Sequence, residues 1–235
     1  MENTWYSRTE ILIGKENMQK LNSFKIVVIG LGGVGGSCVE ALCRAGIGNI
    51  MIIDNDKIDV TNINRQLISN QSNIGSLKTK EIHNRLKLIN PNINIISKNI
   101  FCLPGKIDFI FEYKPHYIID AIDTITTKIY LAKKTTEFKL NFISCMGMGN
   151  KLDPSLIRYG KISDTKGSGC VVSKIIRKEL KKINISNIDV VFSLEKAKKV
   201  ISSSANGRHS PGSISYVPPV AGYFLAAKVV NNLIL

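Results

Sequence analysis

The string Gly30-Leu31-Gly32-Gly33-Val34-Gly35-Gly36 carries the spacing G-x-G-x-x-G at Gly30, Gly32 and Gly35. It follows an apolar run and opens a helical stretch. Phosphate binding asks for this arrangement. The first glycine makes a tight turn, the second lets a phosphate approach the backbone, and the third lets helix and strand pack closely. The helix N-terminus then offers unpaired N–H groups and a partial positive charge. Glycines also serve ordinary strand-to-helix turns, but in this setting nucleotide binding is the stronger reading. Asp54 closes the next apolar run, roughly 20 residues on, where a carboxylate can accept hydrogen bonds from a ribose hydroxyl. To this point a dinucleotide oxidoreductase and an ATP-using enzyme are equally compatible with the residues.

The following segments separate the two. Asp54-Asn55-Asp56 runs on to Thr61-Asn62-Ile63-Asn64-Arg65-Gln66, then to Gly75-Ser76-Leu77-Lys78, and later comes Asp120-Ala121-Ile122-Asp123-Thr124. A hydride-transfer enzyme has no evident use for Arg65, Lys78 and Asp123 together. An enzyme that cleaves a triphosphate does: two cations neutralise charge on a phosphate chain, and a carboxylate holds Mg²⁺ against it. Each residue also has a plainer reading. Arg65 suits a surface charge, Lys78 a solvated helix residue, and Asp123 an N-cap for the next helix. Their joint occurrence carries the argument.

The elements that must position these residues alternate. Buried-strand patterns occur at 24–29, 49–53, 93–97, 117–122 and 141–145, and helical patterns at 7–22, 35–45, 76–88, 107–112 and 124–138. Such alternation predicts an α/β, doubly wound, mostly parallel Rossmann-like sheet. After Gly147 the texture changes. Short strands at 156–160 and 189–193 flank a basic helix at 171–182, a polar Ser/Gly/Asn loop covers 202–213, and a helix at 218–231 closes the chain. The expectation is a single domain over 1–235: a nucleotide-binding core at 1–150 and a C-terminal extension of short strands and helices at 151–235 that faces the substrate.

The chain has 235 residues, 44% apolar and 21% charged, the composition of an ordinary globular protein. No apolar run approaches the ~20 residues of a membrane-spanning helix, and the N-terminus lacks a secretory signal pattern. The five cysteines, Cys38, Cys43, Cys102, Cys145 and Cys170, form no CxxC pair, which speaks against a disulfide framework or the usual zinc spacing and for a cytoplasmic location. Cys145 and Cys170 read as packing residues rather than nucleophiles. The abnormal number is the net charge of +14. Charge alone leaves a nucleic-acid partner and a Lys-, Ile- and Asn-rich compositional bias equally plausible. Lys174, Arg177, Lys178 and Lys181 share one face at helical spacing. With Lys182, Lys196, Lys198 and Lys199 they make the candidate surface for a polyanion.

Taken together, the glycine loop, Asp54-Asn55-Asp56, Asn62-Ile63-Asn64-Arg65-Gln66, Lys78 and Asp120-Ala121-Ile122-Asp123 resemble the adenylating enzymes of the ubiquitin-activating, ThiF and MoeB superfamily. Further strings resemble the bacterial tRNA threonylcarbamoyladenosine dehydratase (TcdA/CsdL) family within it. These are Ser7-Arg8-Thr9-Glu10-Ile11-Leu12-Ile13-Gly14, Met148-Gly149-Asn150-Lys151-Leu152-Asp153-Pro154, Val190-Val191-Phe192-Ser193-Leu194-Glu195 and Gly212-Ser213-Ile214-Ser215-Tyr216-Val217-Pro218-Pro219. One departure is Asp164-Thr165-Lys166-Gly167-Ser168-Gly169-Cys170, where the family commonly has Asp-Pro-Leu.

The resemblance implies ATP and Mg²⁺ as cofactors and a tRNA bearing threonylcarbamoyladenosine as substrate. It implies that Gly30, Gly32, Gly33 and Gly35 cradle phosphates, that Asp54 and Asp56 serve the nucleotide, and that Asn62, Arg65, Gln66 and Lys78 contact the triphosphate. Asp123 would bind Mg²⁺. It also implies a homodimer in which Arg8 reaches the partner's ATP, and sulfur-transfer proteins as possible partners. Three alternatives belong to other classes: a MoeB/ThiF-like adenylyltransferase acting on the C-terminus of a sulfur-carrier protein, an NAD(P)-dependent oxidoreductase, and a nucleotide-sensing binding module. The missing paired CxxC motifs speak against the first, and the Asn64-Arg65-Gln66, Lys78 and Asp123 set against the second. Arg208 and His209 are candidates to fold over the substrate.

Overall fold

The computed structural model describes residues 4–199 and 211–235. Its strands are β1 (Lys25–Ile29), β2 (Asn49–Ile53), β3 (Asn94–Lys98), β4 (Tyr117–Asp120), β5 (Asn141–Cys145), β6 (Ile157–Lys161) and β7 (Asp189–Ser193). They form one seven-stranded sheet in the order β3-β2-β1-β4-β5-β7-β6. Every neighbouring pair is parallel except β6 with β7. The helices are α1 (Ser7–Ile13), α2 (Lys15–Ser23), α3 (Gly33–Ala45), α4 (Lys78–Ile89), α5 (Phe109–Glu112), α6 (Ile125–Glu137), α7 (Val171–Lys182) and α8 (Val217–Ile234).

The interior strands β1, β2, β4, β5 and β7 are mostly apolar because both faces are covered, whereas the edge strands β3 and β6 are partly exposed. Their period of two divides the interior into two cores. Ile26, Val28, Ile50, Ile52, Tyr117 and Ile119 point to the face covered by α2, α3, α4 and α8. Val27, Ile29, Met51, Ile53, Ile118 and Phe142 point to the face covered by α5, α6 and α7. The two strands that follow Gly147 extend the same sheet on the β5 side. No helix among the described residues is long and apolar enough to cross a membrane.

Most boundaries shift by one to three residues from the sequence pattern, and four differences bear on the site or the helices beside it. The expected helix at 7–22 is two helices, because Gly14, at φ 84° and ψ 157°, breaks the spiral between them. The glycine-led helix begins at Gly33 rather than Gly35. β4 stops at Asp120 instead of running to 122, because the Asp120 side chain accepts the Ile122 N–H at 3.2 Å and turns the chain out of the sheet. Thr124, not Asp123, is the N-cap of α6, and no side chain caps that helix. Most of the polar loop at 202–213, including Arg208 and His209, lies outside the described residues.

Candidate nucleotide-binding site

β1 sits between β2 and β4, with β3 beyond one and β5 beyond the other. Chain connections leave β1 in opposite directions at this point, which opens a crevice at the carboxyl ends of β1 and β4, the usual ligand position in open α/β sheets. Ile29 is level with both Ile53 and Asp120, so the loops that leave β1, β2 and β4 start at one height.

The glycine loop fills the crevice floor. Gly30 has φ 88°, and a Cβ there would lie 2.7 Å from the Ala121 carbonyl oxygen. A Cβ on Gly35 would lie 1.8 Å from the Gly30 carbonyl oxygen. The turn after β1, the first turn of α3 and the loop after β4 are therefore in backbone contact that only glycine permits. Gly32 is the N-cap of α3 and supplies no side-chain acceptor, so the first N–H groups of α3 face the crevice uncapped.

Asp54 ties this loop to β2. Its Oδ2 accepts the Leu31 N–H at 2.7 Å and its Oδ1 accepts the Asp56 N–H at 2.7 Å. Burial pushes its carboxyl above the ordinary value; the Lys78 charge and these two N–H bonds work against that. Each oxygen keeps a lone pair for a further donor.

Lys78 is the first residue of α4 and is buried, with an exposure of 5%. Its N–H donates to the Asp56 carbonyl at 3.1 Å and its Nζ reaches the Asp56 carboxylate at 2.7 Å. Asp56 is thus the holder of Lys78, and the ammonium retains two further protons.

The segment at 60–66 folds over the same loop. Asn62 Oδ1 accepts the Asp59 N–H at 3.2 Å, while Asp59 receives Thr61, so Asn62 builds the turn with its own side chain. Arg65 packs its backbone and Cγ against Gly33, where an added Cβ would meet them at 3.0 and 3.4 Å. Its guanidinium donates to the Thr61 carbonyl at 2.8 Å and to Asn64 Oδ1 at 3.0 Å. Gln66 is buried beside Gly32, and its Oε1 and the nearby Ser69 Oγ have no hydrogen-bond partner among the described residues.

The carboxylate that ends β4 and the one in the loop beyond it differ in their surroundings. Asp120 is fully buried and consumed by internal partners. Asp123 is exposed, sits two residues beyond Ala121, and does not cap α6. No cluster of three or more His, Cys, Asp or Glu exists among the described residues. One open carboxylate beside a phosphate site still suits Mg²⁺, which keeps its waters and is held by one or two carboxylates plus substrate phosphates rather than by a protein cage.

Other predicted residues fall elsewhere. Arg8 is exposed on α1, a helix that buries none of its own residues. The neighbouring residues Trp5, Tyr6 and Glu10 line a cavity of about 310 Å³ with Met18, Gly46 and Asn90, at the amino-terminal ends of the strands. Arg8 is therefore not brought to the crevice of its own chain. On α7, Ser173, Ile176 and Leu180 are buried, and Lys174, Lys178 and Lys181 are exposed. Two members of the expected basic set are engaged. Arg177 lies at the edge of the buried face and donates to Thr165 Oγ1 at 2.5 Å, and Lys182 pairs with Glu179 at 2.8 Å. Arg177 therefore does not belong to the open lysine face. All five cysteines are free and buried. Burial pushes the Cys145 thiol up to about 12, which removes it as a nucleophile.

Several residues that hold the site stood in the quoted strings without a structural role assigned to them. Asn64 Nδ2 donates to the Ser213 carbonyl at 2.9 Å and joins the Arg65 turn to the C-terminal segment. Pro218, in the first turn of α8, lies where a Gly33 Cβ would touch it at 3.0 Å. Asn150, at φ 59°, accepts the Lys198 N–H on its carbonyl at 2.8 Å and the Gly212 N–H on Oδ1 at 2.6 Å. Lys128 also escaped notice, although a lone lysine among Thr127, Leu131, Ala132 and Thr135 on a buried helix face is a readable signal.

Known proteins match nearly the whole chain. A tRNA threonylcarbamoyladenosine dehydratase of Bacillus subtilis (strain 168) is 36% identical over 241 residues, covering 97% of this chain and 94% of the relative. One from Haemophilus influenzae is 34% identical, covering 93% and 89%. The crystal structure of the E. coli tRNA N6-threonylcarbamoyladenosine dehydratase, TcdA, in complex with ATP superposes with a TM-score of 0.87 at 27% identity, covering 97% of this chain and 93% of that one. The ThiF family model matches residues 6–234. With the family model matched over nearly the whole chain, the chain belongs to the ThiF family.

Proposed function

We propose that this protein is an ATP-dependent tRNA threonylcarbamoyladenosine dehydratase. The observation that carries the reading is the crevice itself, in a chain matched nearly end to end by relatives of that name: an uncapped helix N-terminus opens at the switch point, the buried Lys78 is held by Asp56 after β2, and the exposed Asp123 lies on the loop after β4. In the proposed reaction the threonyl carboxylate attacks the α-phosphate of ATP. A carboxylate–phosphate bond forms, the bond to the β-phosphate breaks, and pyrophosphate leaves. The neighbouring carbamoyl group then attacks the activated acyl carbon and AMP departs. The net change is loss of one water from the modified base. Tethering supplies the effective concentration for ring closure, so the protein need only position groups and stabilise phosphate charge.

In this reading Gly30, Gly32, Gly33, Gly35 and the first turn of α3 receive the phosphates. Asp54 accepts from the ribose, and Arg65, Gln66 and Lys78 face the triphosphate. Asn62 and Asp56 act through the turn and the lysine that they hold. Asp123 would hold Mg²⁺, which when bound neutralises phosphate charge. Arg8, remote from its own crevice, is assigned to the crevice of a second copy in a homodimer. The tRNA backbone is assigned to Lys174, Lys178 and Lys181, with Lys196, Lys198 and Lys199 beside them. The free buried cysteines suit a reducing, cytoplasmic setting.

The test is direct. The protein is incubated with ATP, Mg²⁺ and tRNA carrying threonylcarbamoyladenosine, the tRNA is digested to nucleosides, and these are weighed. The expected product is a modified adenosine lighter by one water, with one AMP and one pyrophosphate formed per base converted. Properly modified tRNA that shows no mass change overturns the proposal.

A further inference from the structure

Beneath the loop that carries Asp123 lies a closed polar network. Asp120 and Lys128 have exposures of 0% and 2%. Lys128 Nζ donates to Asp120 Oδ2 at 3.0 Å, to Ser144 Oγ at 3.2 Å and to the Cys145 carbonyl at 2.8 Å. Ser144 Oγ in turn donates to Asp120 Oδ2 at 2.6 Å, and Asp120 Oδ1 accepts the Ile122 N–H at 3.2 Å. All three ammonium protons and both carboxylate oxygens are used. The network joins the ends of β4 and β5 to the first turn of α6.

Burying two charges is expensive, and a buried ion pair is by itself weak support for stability. Well-packed apolar residues would hold α6 against the sheet as well or better. What they would not do is receive the Ile122 N–H. That bond ends β4 and sets the course of the chain from Ala121 to Asp123. On one side of this short loop the Ala121 carbonyl rests against Gly30, where an added Cβ would stand only 2.7 Å away. On the other side α6 begins at once. The loop is thus fixed at both ends, and the Asp120 carboxylate is the anchor between them.

We propose that Lys128, through Asp120 and Ser144, is a positioning residue that presets the Asp123 carboxylate for Mg²⁺-bound triphosphate. The inference rests on the reading of Asp123 given above. Lys128 touches no substrate; it fixes the orientation of a carboxylate that in turn fixes a loop, in the manner of the outer-shell partners of metal ligands, whose loss typically costs about 10–100-fold in metal affinity or activity.

The experiment compares ATP affinity with Mg²⁺ and in EDTA by titration calorimetry, together with thermal melting, for the full chain and for Asp123→Asn, Lys128→Met, Lys128→Arg and Ser144→Ala. The proposal expects Lys128→Met to lower the Mg²⁺-dependent gain in ATP affinity by about tenfold while affinity in EDTA stays parental. Ser144→Ala shifts the gain in the same direction by less, and Lys128→Arg recovers part of it. A purely structural role lowers the melting temperature and leaves the Mg²⁺ gain intact. That result in folded Lys128→Met overturns the inference, as does an unaltered gain in Ser144→Ala if Lys128→Met does not fold. If Asp123→Asn itself keeps the full Mg²⁺ gain, the reading of Asp123 fails, and that outcome is recognisable whatever the Lys128 variants do.

Discussion

At the scale of single residues, the crevice depends on atoms that are absent as much as on those present. A methyl group at Gly35 would stand 1.8 Å from the Gly30 carbonyl oxygen and 3.2 Å from Ala121 Cβ, and neither backbone can yield without moving the phosphate turn or the loop leading to Asp123. Gly36, one position on, would meet only the Leu31 carbonyl oxygen at 3.4 Å and Ile82 Cδ1 at 3.7 Å, ordinary contacts. Gly35→Ala should therefore weaken ATP binding by at least about tenfold, ~1.4 kcal/mol, while Gly36→Ala binds as the parent does; titration calorimetry on the pair checks this. Motif spacing made Gly30, Gly35, Asp54 and Lys78 legible, because each answers to a chemical need that recurs in any phosphate site. It singled out Asp123 and gave Asp120, in the same string, no role of its own. Only the fold shows that one carboxylate is spent on Lys128 and the other faces outward. Nor did helical spacing disclose that Arg177 turns towards Thr165, because a long side chain at the edge of a buried stripe can go either way.

Among the elements, α3 is the one on which the site turns, and its neighbours hold it by packing and by charge. α8 lies against it so closely that a Cβ on Gly222 would stand 2.3 Å from the Val34 carbonyl oxygen and 2.9 Å from the Cys38 nitrogen. Gly222→Ala must push α8 away, and Pro218 at its start leaves the glycine loop with it. The expected cost is about 1–3 kcal/mol of stability together with weaker ATP binding, measured by denaturant unfolding and calorimetry on the same sample. On the α4 side, Glu40 of α3 is buried and accepts from Arg44 at 2.9 Å and from Arg85 of α4 through Nη2 at 3.2 Å and through Nε. Burial raises the Glu40 carboxyl, but the bonds and charges of the two arginines outweigh it, and the net direction is below the ordinary 4.5. The folded state therefore binds this proton less readily than the unfolded chain does. The stabilisation is present in full above the unfolded value and is lost as pH falls through the folded one. Glu40→Gln should cost about 1–3 kcal/mol near neutral pH and should flatten the acid loss; urea titrations at descending pH test both. The interior strands were readable because two-sided burial leaves a mostly apolar run, and the helices because their periods differ from those runs. The break at Gly14 and the early end of β4 were not readable, since one depends on a single backbone angle and the other on a side chain bonding to its own loop.

For the whole molecule, the net charge of +14 gains an address only from the fold. Lys174, Lys178 and Lys181 stand exposed on α7 with no ion pair among the described residues, whereas Arg177 and Lys182 are engaged. Reversing those three charges should reduce the slope of log affinity for tRNA against log salt by about 0.7–0.9 for each phosphate the protein no longer neutralises. ATP binding at the crevice should stay unchanged, and filter binding over a salt series measures the slope. α1 buries none of its residues, exposes Ile11 and Leu12, and carries Arg8 away from the crevice of its own chain. A crevice that needs Arg8 must then take it from another copy. Arg8→Ala and Asp123→Ala would each abolish activity alone, because each symmetric dimer lacks the same residue at both sites. Mixed after unfolding and refolding together, the two variants form heterodimers in which the crevice of the Arg8→Ala subunit has its own Asp123 and receives the partner's intact Arg8, while the other crevice lacks both. With half the dimers mixed and one intact site in each, about a quarter of parental pyrophosphate release should return. If none returns although mixed dimers are demonstrated by mass, Arg8 does not act across the interface.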